Sequence, residues 1–257
     1  MQYYRNKKRK YRTAKQKIKR IKTIFTILLL FVIAIMYIQS SHEILHPIVL
    51  DRGRENAFSF EDIPEYSGMP AHIINKNRPQ FTDKEYRRGE KRFIQLSKLD
   101  FRGRCGTCMA SFGPDTLTNE SRESIYNIYP TGWEQEIYDA IDNGGALYNR
   151  SHLLMYAMSG LGAEPRNLIT GTRYMNSRGM LPYEMATMNW IKRYEERIIY
   201  RVTPIFIGRE LVARGVHIEA ADVKTKGEKF HVNVYCYNVQ PGVKINYKTG
   251  HSSKDLQ

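Results

Sequence analysis

Residues 146–155 of the chain read ALYNRSHLLM, a composition that favours a β-strand. The segment 159–162, SGLG, ends this strand. Further along, residues 182–198 carry apolar side chains at near-helical spacing, and Pro182 suits the first turn of a helix. The sequence therefore predicts a strand followed by a helix, with a polar segment between them.

The flanking sequence adds further strands and a second helix. Three runs that alternate and are rich in β-branched and aromatic residues follow the helix, at 198–207, 211–221 and 229–239. Upstream, Thr82 and Glu85 have the spacing of a capping box, which predicts a short helix to about Gln95. Residues 98–133 contain Gly, Pro and Asn and should form loops and short strands. Together these elements predict an α+β domain with a mainly antiparallel sheet.

The composition excludes wholesale disorder and a polytopic membrane protein, since 42% of the 257 residues are hydrophobic and 26% are charged. The net charge is +14, a value that first suggests an anionic partner. Eleven of the Lys and Arg residues lie within residues 1–22, which contain no acid, and the rest of the chain carries only +3. The overall basicity is therefore weak evidence for nucleic-acid binding by the folded region.

The basic segment precedes an apolar one. Residues 23–38, TIFTILLLFVIAIMYI, contain no charge, Pro or Gly and are just long enough, with their flanks, to cross a bilayer. The positive-inside rule keeps the N-terminus in the cytoplasm and places the C-terminal region outside the cell. A cleaved signal peptide is disfavoured, because no clear small-x-small site follows. We expect a single-pass cell-membrane protein with five segments: tail 1–22, transmembrane anchor 23–39, stalk 40–62, extracytoplasmic domain 63–253 and tail 254–257.

One histidine stands in a chemically dense neighbourhood. His152 lies in the run Tyr-Asn-Arg-Ser-His and is followed by Asn167, Arg173, Asn176 and Glu184. Hydrolysis of a phosphodiester uses a neutral imidazole as base, a hard divalent cation and arginines that bind phosphate. Asn176 and Glu184 are eight residues apart, about 80° around an uninterrupted helix. The residue types fit this chemistry, whereas the other six histidines are interpreted as structural.

The motif resembles the DNA/RNA non-specific endonucleases of the ββα-metal (His-Me finger) superfamily. Their signature is Asp-Arg-Gly-His, followed by a helix-borne Asn and, in several members, a Glu eight residues further on. The likeness is closest to the DNA-entry nuclease and secreted DNases of Gram-positive bacteria and spans roughly residues 63–253. Further stretches agree with it: IPEY at 63–66, LD at 99–100, GR at 103–104, PTGW at 130–133 and NVQPG at 238–242.

The resemblance implies roles for four residues. His152 matches the general base, and Asn176 matches the protein ligand of a single Mg²⁺, for which Mn²⁺ can substitute. Glu184 matches the carboxylate that organises metal-bound water, and Arg150 matches the signature arginine, which contacts phosphate or supports the histidine. The implied activity is Mg²⁺-dependent hydrolysis of DNA, with RNA as a further substrate, by water that His152 activates. Backbone contacts carry no base information, so low sequence specificity is expected.

Two weaker assignments and two departures accompany the motif. Arg173 and Asn167 are matched by neighbouring sequence as substrate-binding residues. Asn149 stands where the signature has Asp, and Ser151 stands where it has Gly. Neither change affects His152, Asn176 or Glu184, so activity is expected.

Two other functions compete with the nuclease hypothesis. A catalytically inactive descendant of the same fold could capture DNA as an extracellular receptor, and activity with Mg²⁺ distinguishes it. Cys105 and Cys108 form a CxxC motif, which could be a local disulfide, plain thiols, a redox centre or half of a metal site that Cys236 and a distant His would complete. The sequence after Cys108 does not resemble the start of a helix, which disfavours a thioredoxin-like site. Cys236 is predicted to lie in the core of a strand.

Overall fold

The centre of the structure is an antiparallel sheet of six strands. Across the sheet these are β1 (Ala71–Ile73), β8 (His231–Tyr237), β7 (Gly215–Asp222), β6 (Ile198–Ile205), β3 (Cys108–Phe112) and β2 (Phe93–Leu96). A computed structural model describes residues 60–255 of the chain. The predicted α+β class and mainly antiparallel sheet are confirmed. Strands β6 and β8 lie within their alternating runs, and β7 extends one residue beyond the run 211–221.

The two faces of this sheet pack differently. One face forms the main hydrophobic core, in which Tyr200, Val216 and Ile218 pack with Met188 and Ile191 of a long helix. On the other face, alternate positions of the same strands carry polar groups. There the buried Arg201 forms ion pairs with Glu219 and Glu85. The charges of Arg201 and Glu219, which are both buried, are therefore paired.

The helix predicted after Thr82 forms but is shorter than expected. Helix α1 (Asp83–Gly89) begins with the predicted capping box between Thr82 and Glu85. It ends at Gly89 rather than near Gln95, because residues 93–96 pair with β3 as strand β2. At Gly89 the helix approaches the sheet so closely that an added Cβ would lie 3.1 Å from Val223 Cγ2. Strand pairing therefore overrides the local helical preference.

A separate β-hairpin followed by a helix carries the histidine motif. Strand β4 (Tyr148–His152) pairs antiparallel with β5 (Leu168–Thr172), and the connection contains a short helix α2 (Tyr156–Ser159). A π-helical turn (Met175–Met180) then leads into helix α3 (Leu181–Tyr194). These elements form a ββα unit, as the motif predicted.

The π turn explains how the helix accommodates Pro182. In a regular α-helix the proline ring would clash with the carbonyl of Arg178, and the wider turn before it displaces that carbonyl. Fewer degrees of rotation per residue in this turn also reduce the angle between Asn176 and Glu184 below the 80° of an uninterrupted helix. Helix α3 ends at Tyr194, short of the predicted Ile198, because Glu195 adopts a left-handed conformation with φ 53°.

The ends of the described region refine the expected boundaries. The ring of Phe60 packs edge-on against Tyr235, so the folded part begins within the segment interpreted as a stalk. Strand β9 (Val243–Ile245) pairs with β10 (Ser252–Lys254), which closes the chain one residue beyond the expected end at 253. The predicted tail 1–22 and anchor 23–39 lie outside the described residues. Between residues 60 and 255, no helix combines the length and apolarity that a membrane span requires.

Candidate active site

His152 lies at the end of β4 and is 8% exposed. Its Nε2 is 3.2 Å from the carbonyl oxygen of Gly162. Because a carbonyl can only accept a hydrogen bond, Nε2 of the neutral ring carries the hydrogen and Nδ1 keeps its lone pair. Burial lowers the pKa of His152 to about 4, an effect that the charge of Arg122 reinforces and the Gly162 and Leu161 carbonyls oppose. The imidazole is therefore neutral at pH 7 and can accept a proton at Nδ1.

Arg122 is a site residue that the sequence did not indicate. It is exposed on the loop that precedes β4, and its Cγ lies 3.5 Å from the position that a Cβ on Gly162 would occupy. Its charge acts on His152, which places the guanidinium within electrostatic range of the base. Arginine is suited to bind phosphate. No motif or periodicity marks this position, since it lies in an irregular loop 30 residues before the histidine.

The guanidinium of Arg150 is largely used in contacts within the protein. Its Nη2 donates to the carbonyl of Tyr126 at 2.6 Å, and its Nε donates to the carbonyl of Ile128. The guanidinium carbon also lies 4.2 Å from the Trp133 ring centroid. Of the two roles expected for Arg150, support of the site describes these contacts, because two of its three nitrogens hold the loop before β4.

Asn167 has a structural position instead of the expected substrate-binding one. It is fully buried, and its side chain accepts a hydrogen bond from the Leu154 amide at 2.8 Å and donates to the Leu154 carbonyl at 3.0 Å. The backbone amide of Leu153 also donates to its carbonyl oxygen. Asn167 therefore cannot reach a nucleic acid, and it fixes the chain where it leaves His152.

Arg173 lies away from the histidine along the hairpin. Its backbone follows Thr172, which pairs with Tyr148 at the opposite end of β4 from His152. At about 3.3 Å per residue the two ends of this strand are roughly 13 Å apart. The structure therefore does not bring Arg173 beside the base, and any substrate contact that it makes concerns another part of the backbone.

Asn176 occupies the π turn and is half-buried. Its backbone carbonyl accepts a hydrogen bond from the Leu181 amide. Within residues 60–255, its side-chain amide makes no hydrogen bond, which leaves an oxygen for a hard cation. A π turn inside a helix is common at functional sites.

Glu184 lies in the first turns of α3 and is 7% exposed. Burial raises the pKa of its carboxyl to about 8. Its charge contributes to raising the pKa values of Tyr200 and Cys236, two side chains of the main hydrophobic core. In the metal-free protein, Glu184 is therefore mostly protonated at neutral pH.

No direct hydrogen bond or ion pair joins His152, Asn176 and Glu184 within the described residues. Across the same part of the chain, no three His, Cys, Asp or Glu side chains cluster in a way that could hold a metal ion. A site with one amide ligand and otherwise water or phosphate oxygens is compatible with this finding, because such a site needs no acidic cluster. The ββα unit carries all three residues.

Ser151 is accommodated by a glycine across the hairpin. The serine lies in the extended strand β4 and is buried. A Cβ on Gly171 would overlap its Oγ and would lie 2.7 Å from Met175 Cε. The larger residue at position 151 is therefore matched by the absence of a side chain at position 171.

The three cysteines are free thiols, and all are buried. Cys105 Sγ donates to the Pro165 and Leu168 carbonyls. Burial raises the pKa of Cys105 to about 12 and that of Cys108 well above its ordinary value. A reactive cysteine requires a depressed pKa and access to solvent, so the geometry is that of plain structural thiols rather than a redox centre. Cys236 is a core residue of β8, as predicted.

Comparison with known proteins identifies the family and the fold. A family model described as DNA/RNA non-specific endonuclease matches residues 83–224. NucA from Streptococcus agalactiae, solved with a magnesium ion bound, has a TM-score of 0.63 at 24% identity, over 72% of this chain and 88% of NucA. The same protein without metal gives a TM-score of 0.64 at 24% identity, over 76% and 92% of the two chains. Sda1 nuclease with a bound zinc ion gives 0.56 at 23% identity, over 72% and 97%.

Proposed function

The chain belongs to the DNA/RNA non-specific endonuclease family and is a hydrolase of the nuclease class, and from this premise we propose that it is a membrane-anchored, Mg²⁺-dependent endonuclease without sequence specificity. Its substrate is DNA, with RNA as a second substrate. The observation that carries the proposal is the neutral, buried His152, whose Nδ1 carries no hydrogen because Nε2 donates to Gly162.

The described residues support a simple division of labour. Nδ1 of His152 takes a proton from water as the water oxygen attacks phosphorus, and the bond from phosphorus to the 3′ oxygen breaks. The products are a 5′-phosphate and a 3′-hydroxyl. Arg122 binds a phosphate oxygen beside the base, and Arg150 holds the loop that carries Arg122. Arg173 contacts the backbone of the nucleic acid further away.

The residues present fit a divalent cation at Asn176. Its amide oxygen is a hard ligand and is not engaged by any described residue. When bound, Mg²⁺ would neutralise negative charge on the phosphate and on the departing oxygen. Glu184, which follows Asn176 in the same ββα unit, would orient water near the cation. Magnesium in one structural relative and zinc in another support a divalent ion, and Mn²⁺ should substitute for Mg²⁺.

The anchoring part of the proposal concerns residues outside the described region. The basic segment 1–22 and the apolar segment 23–39 would hold the chain in the cell membrane, with the nuclease domain outside the cell. Resistance of the protein to extraction from membranes by alkaline carbonate, with protease access to the nuclease domain on intact cells, would support this topology. Release by carbonate would contradict it.

Activity is tested by digestion of plasmid DNA with the full chain in mild detergent. Digestion should require Mg²⁺ or Mn²⁺, stop with chelator and be abolished in His152→Ala. His251→Ala is the matched control, because His251 is exposed, and it should retain full activity. Circular dichroism of both variants verifies the fold. A wild-type chain that binds DNA but never cuts it would favour the inactive receptor, and undiminished cleavage by His152→Ala would exclude the mechanism.

A further inference from the structure

Two tyrosines project into solvent from the loop before β4. The side chain of Tyr126 is 70% exposed and that of Tyr129 is 64% exposed. Large aromatic residues usually bury most of their surface in the folded chain, so two exposed rings three residues apart need a reason. Neither ring contributes to the hydrophobic clusters of the described residues.

The two rings are nevertheless held in place by Arg150. Its guanidinium carbon lies 5.4 Å from the Tyr126 ring centroid and 5.3 Å from that of Tyr129, and its nitrogens bind backbone carbonyls of the same loop. Cation–π contact at this range is attractive and orients the rings. The tyrosines are therefore anchored at their base while their outer surfaces stay accessible.

Strand geometry places this pair on the catalytic side of the hairpin. Arg150 and His152 are two residues apart in β4, so their side chains point to the same face. The other end of the tyrosine loop lies beside the base as well, because Arg122 acts on His152, and the Tyr156 hydroxyl donates to the Ser121 carbonyl. The same loop therefore carries Arg122, which lies within electrostatic range of His152, and then the two exposed tyrosines.

We propose that Tyr126 and Tyr129 form a stacking platform for unpaired bases, which makes single-stranded nucleic acid the better-bound substrate of this nuclease. Every base has a π-face, so stacking on tyrosine is tolerant of sequence and agrees with non-specific cleavage. In a duplex the bases already stack on their neighbours, and the rings can contact only the backbone or the ends. The role of the platform in substrate choice rests on the nuclease function proposed above. Its binding of single-stranded nucleic acid can be measured without catalysis.

Binding is measured with the full chain in mild detergent, in the presence of chelator and at one low salt concentration. The probes are a fluorescent mixed-sequence single-stranded DNA of about 12 nucleotides, within the usual site size for such proteins, and the duplex of the same sequence. Tyr126→Ala and Tyr129→Ala should each weaken single-strand binding by about tenfold while leaving duplex binding within about twofold. Phe at either position should keep the affinity, whereas Leu should not, since only Phe retains the π-face.

Tyr194→Ala is the matched control, since this tyrosine is also exposed but packs on Trp190 at the end of α3. It should leave both affinities unchanged. Equal losses on single strand and duplex for the platform variants would overturn the proposal, as would retention of affinity in the Ala variants. A parallel Mg²⁺ digestion of single-stranded and duplex DNA separates the two proposals. If the wild type cuts neither form, the nuclease function fails, while the binding measurement with the fluorescent probes still decides whether the platform binds bases.

Discussion

Replacing Glu184 by glutamine should stabilise the metal-free protein, and the gain should increase with pH. The carboxyl is 7% exposed, and burial raises its pKa to about 8 from an ordinary value of 4.5. In the unfolded chain the group ionises near the ordinary value, whereas in the folded protein it keeps its proton to about pH 8. Because the folded pKa is raised, the wild type is as stable as a variant that cannot ionise only below about pH 4.5. Above that pH the wild type loses stability progressively, until the pH has risen through about 8.

The magnitude follows from linkage between protonation and folding. Each pH unit inside this window removes about 1.4 kcal/mol from the free energy of unfolding. Relative to a variant that cannot ionise, the wild type should lose roughly 3 kcal/mol by pH 7 and roughly 5 kcal/mol by pH 9. A loss of this size is a large part of the free energy of unfolding of a typical domain. Burial of the Glu184 carboxyl therefore costs the metal-free protein much of its stability at neutral and alkaline pH.

The assay is urea unfolding of the full chain in mild detergent with chelator, at pH 5, 7 and 9. The advantage of Glu184→Gln over the wild type should be about 1 kcal/mol at pH 5 and should increase at each step. Glu120→Gln, at an exposed loop position, is the control and should show no such trend. A difference between Glu184→Gln and wild type that stays constant across the three pH values would refute the assignment of a raised pKa to this carboxyl.

Two further predictions follow from contacts at the site. Gly171→Ala should destabilise the protein by roughly 1–3 kcal/mol through overpacking against Ser151 and Met175. Adding Ser151→Gly should recover most of that loss in urea unfolding, and an equal loss in both backgrounds would contradict the contact. Arg122→Ala should lower kcat/KM roughly tenfold to a hundredfold by removing a charged phosphate contact. It should also raise the pKa of the acid limb of the kcat/KM profile, because the arginine helps to depress the pKa of His152. Arg122→Lys should retain most of both effects, and an unchanged pH profile in the Ala variant would contradict the placement of Arg122.

Local patterns in the sequence were sufficient for the elements whose stability is local or periodic. The capping box at Thr82 and Glu85 forms as predicted, since its partners are three residues apart. The alternating runs became β6 to β8, because side chains on a strand point to opposite faces at a period that the sequence displays directly. The strand that carries His152 and the helix that carries Glu184 were also predicted, although the strand is limited to Tyr148–His152 and the helix ends at Tyr194.

The local pattern was insufficient wherever an element ends because of a distant partner. Helix α1 stops at Gly89 since residues 93–96 pair with β3, and that pairing has no signal within the helix itself. The π turn before Pro182 was likewise not predicted. It changes the angle between Asn176 and Glu184, which the eight-residue spacing alone had placed about 80° apart.

The chemistry of the site divides in the same way. The residue types of the motif, together with its resemblance to the family, predicted a base, an amide ligand and a carboxylate for phosphodiester hydrolysis, all within 33 consecutive residues. Tertiary structure alone placed Arg122 within electrostatic range of His152, buried Asn167 against the Leu154 backbone and bound Arg150 to the loop of Tyr126. The free state of the CxxC thiols was left open by the sequence, and the structure shows both buried. Burial, charge proximity and hydrogen-bond partners are properties of residues brought together from distant positions, and a linear pattern carries no measure of them.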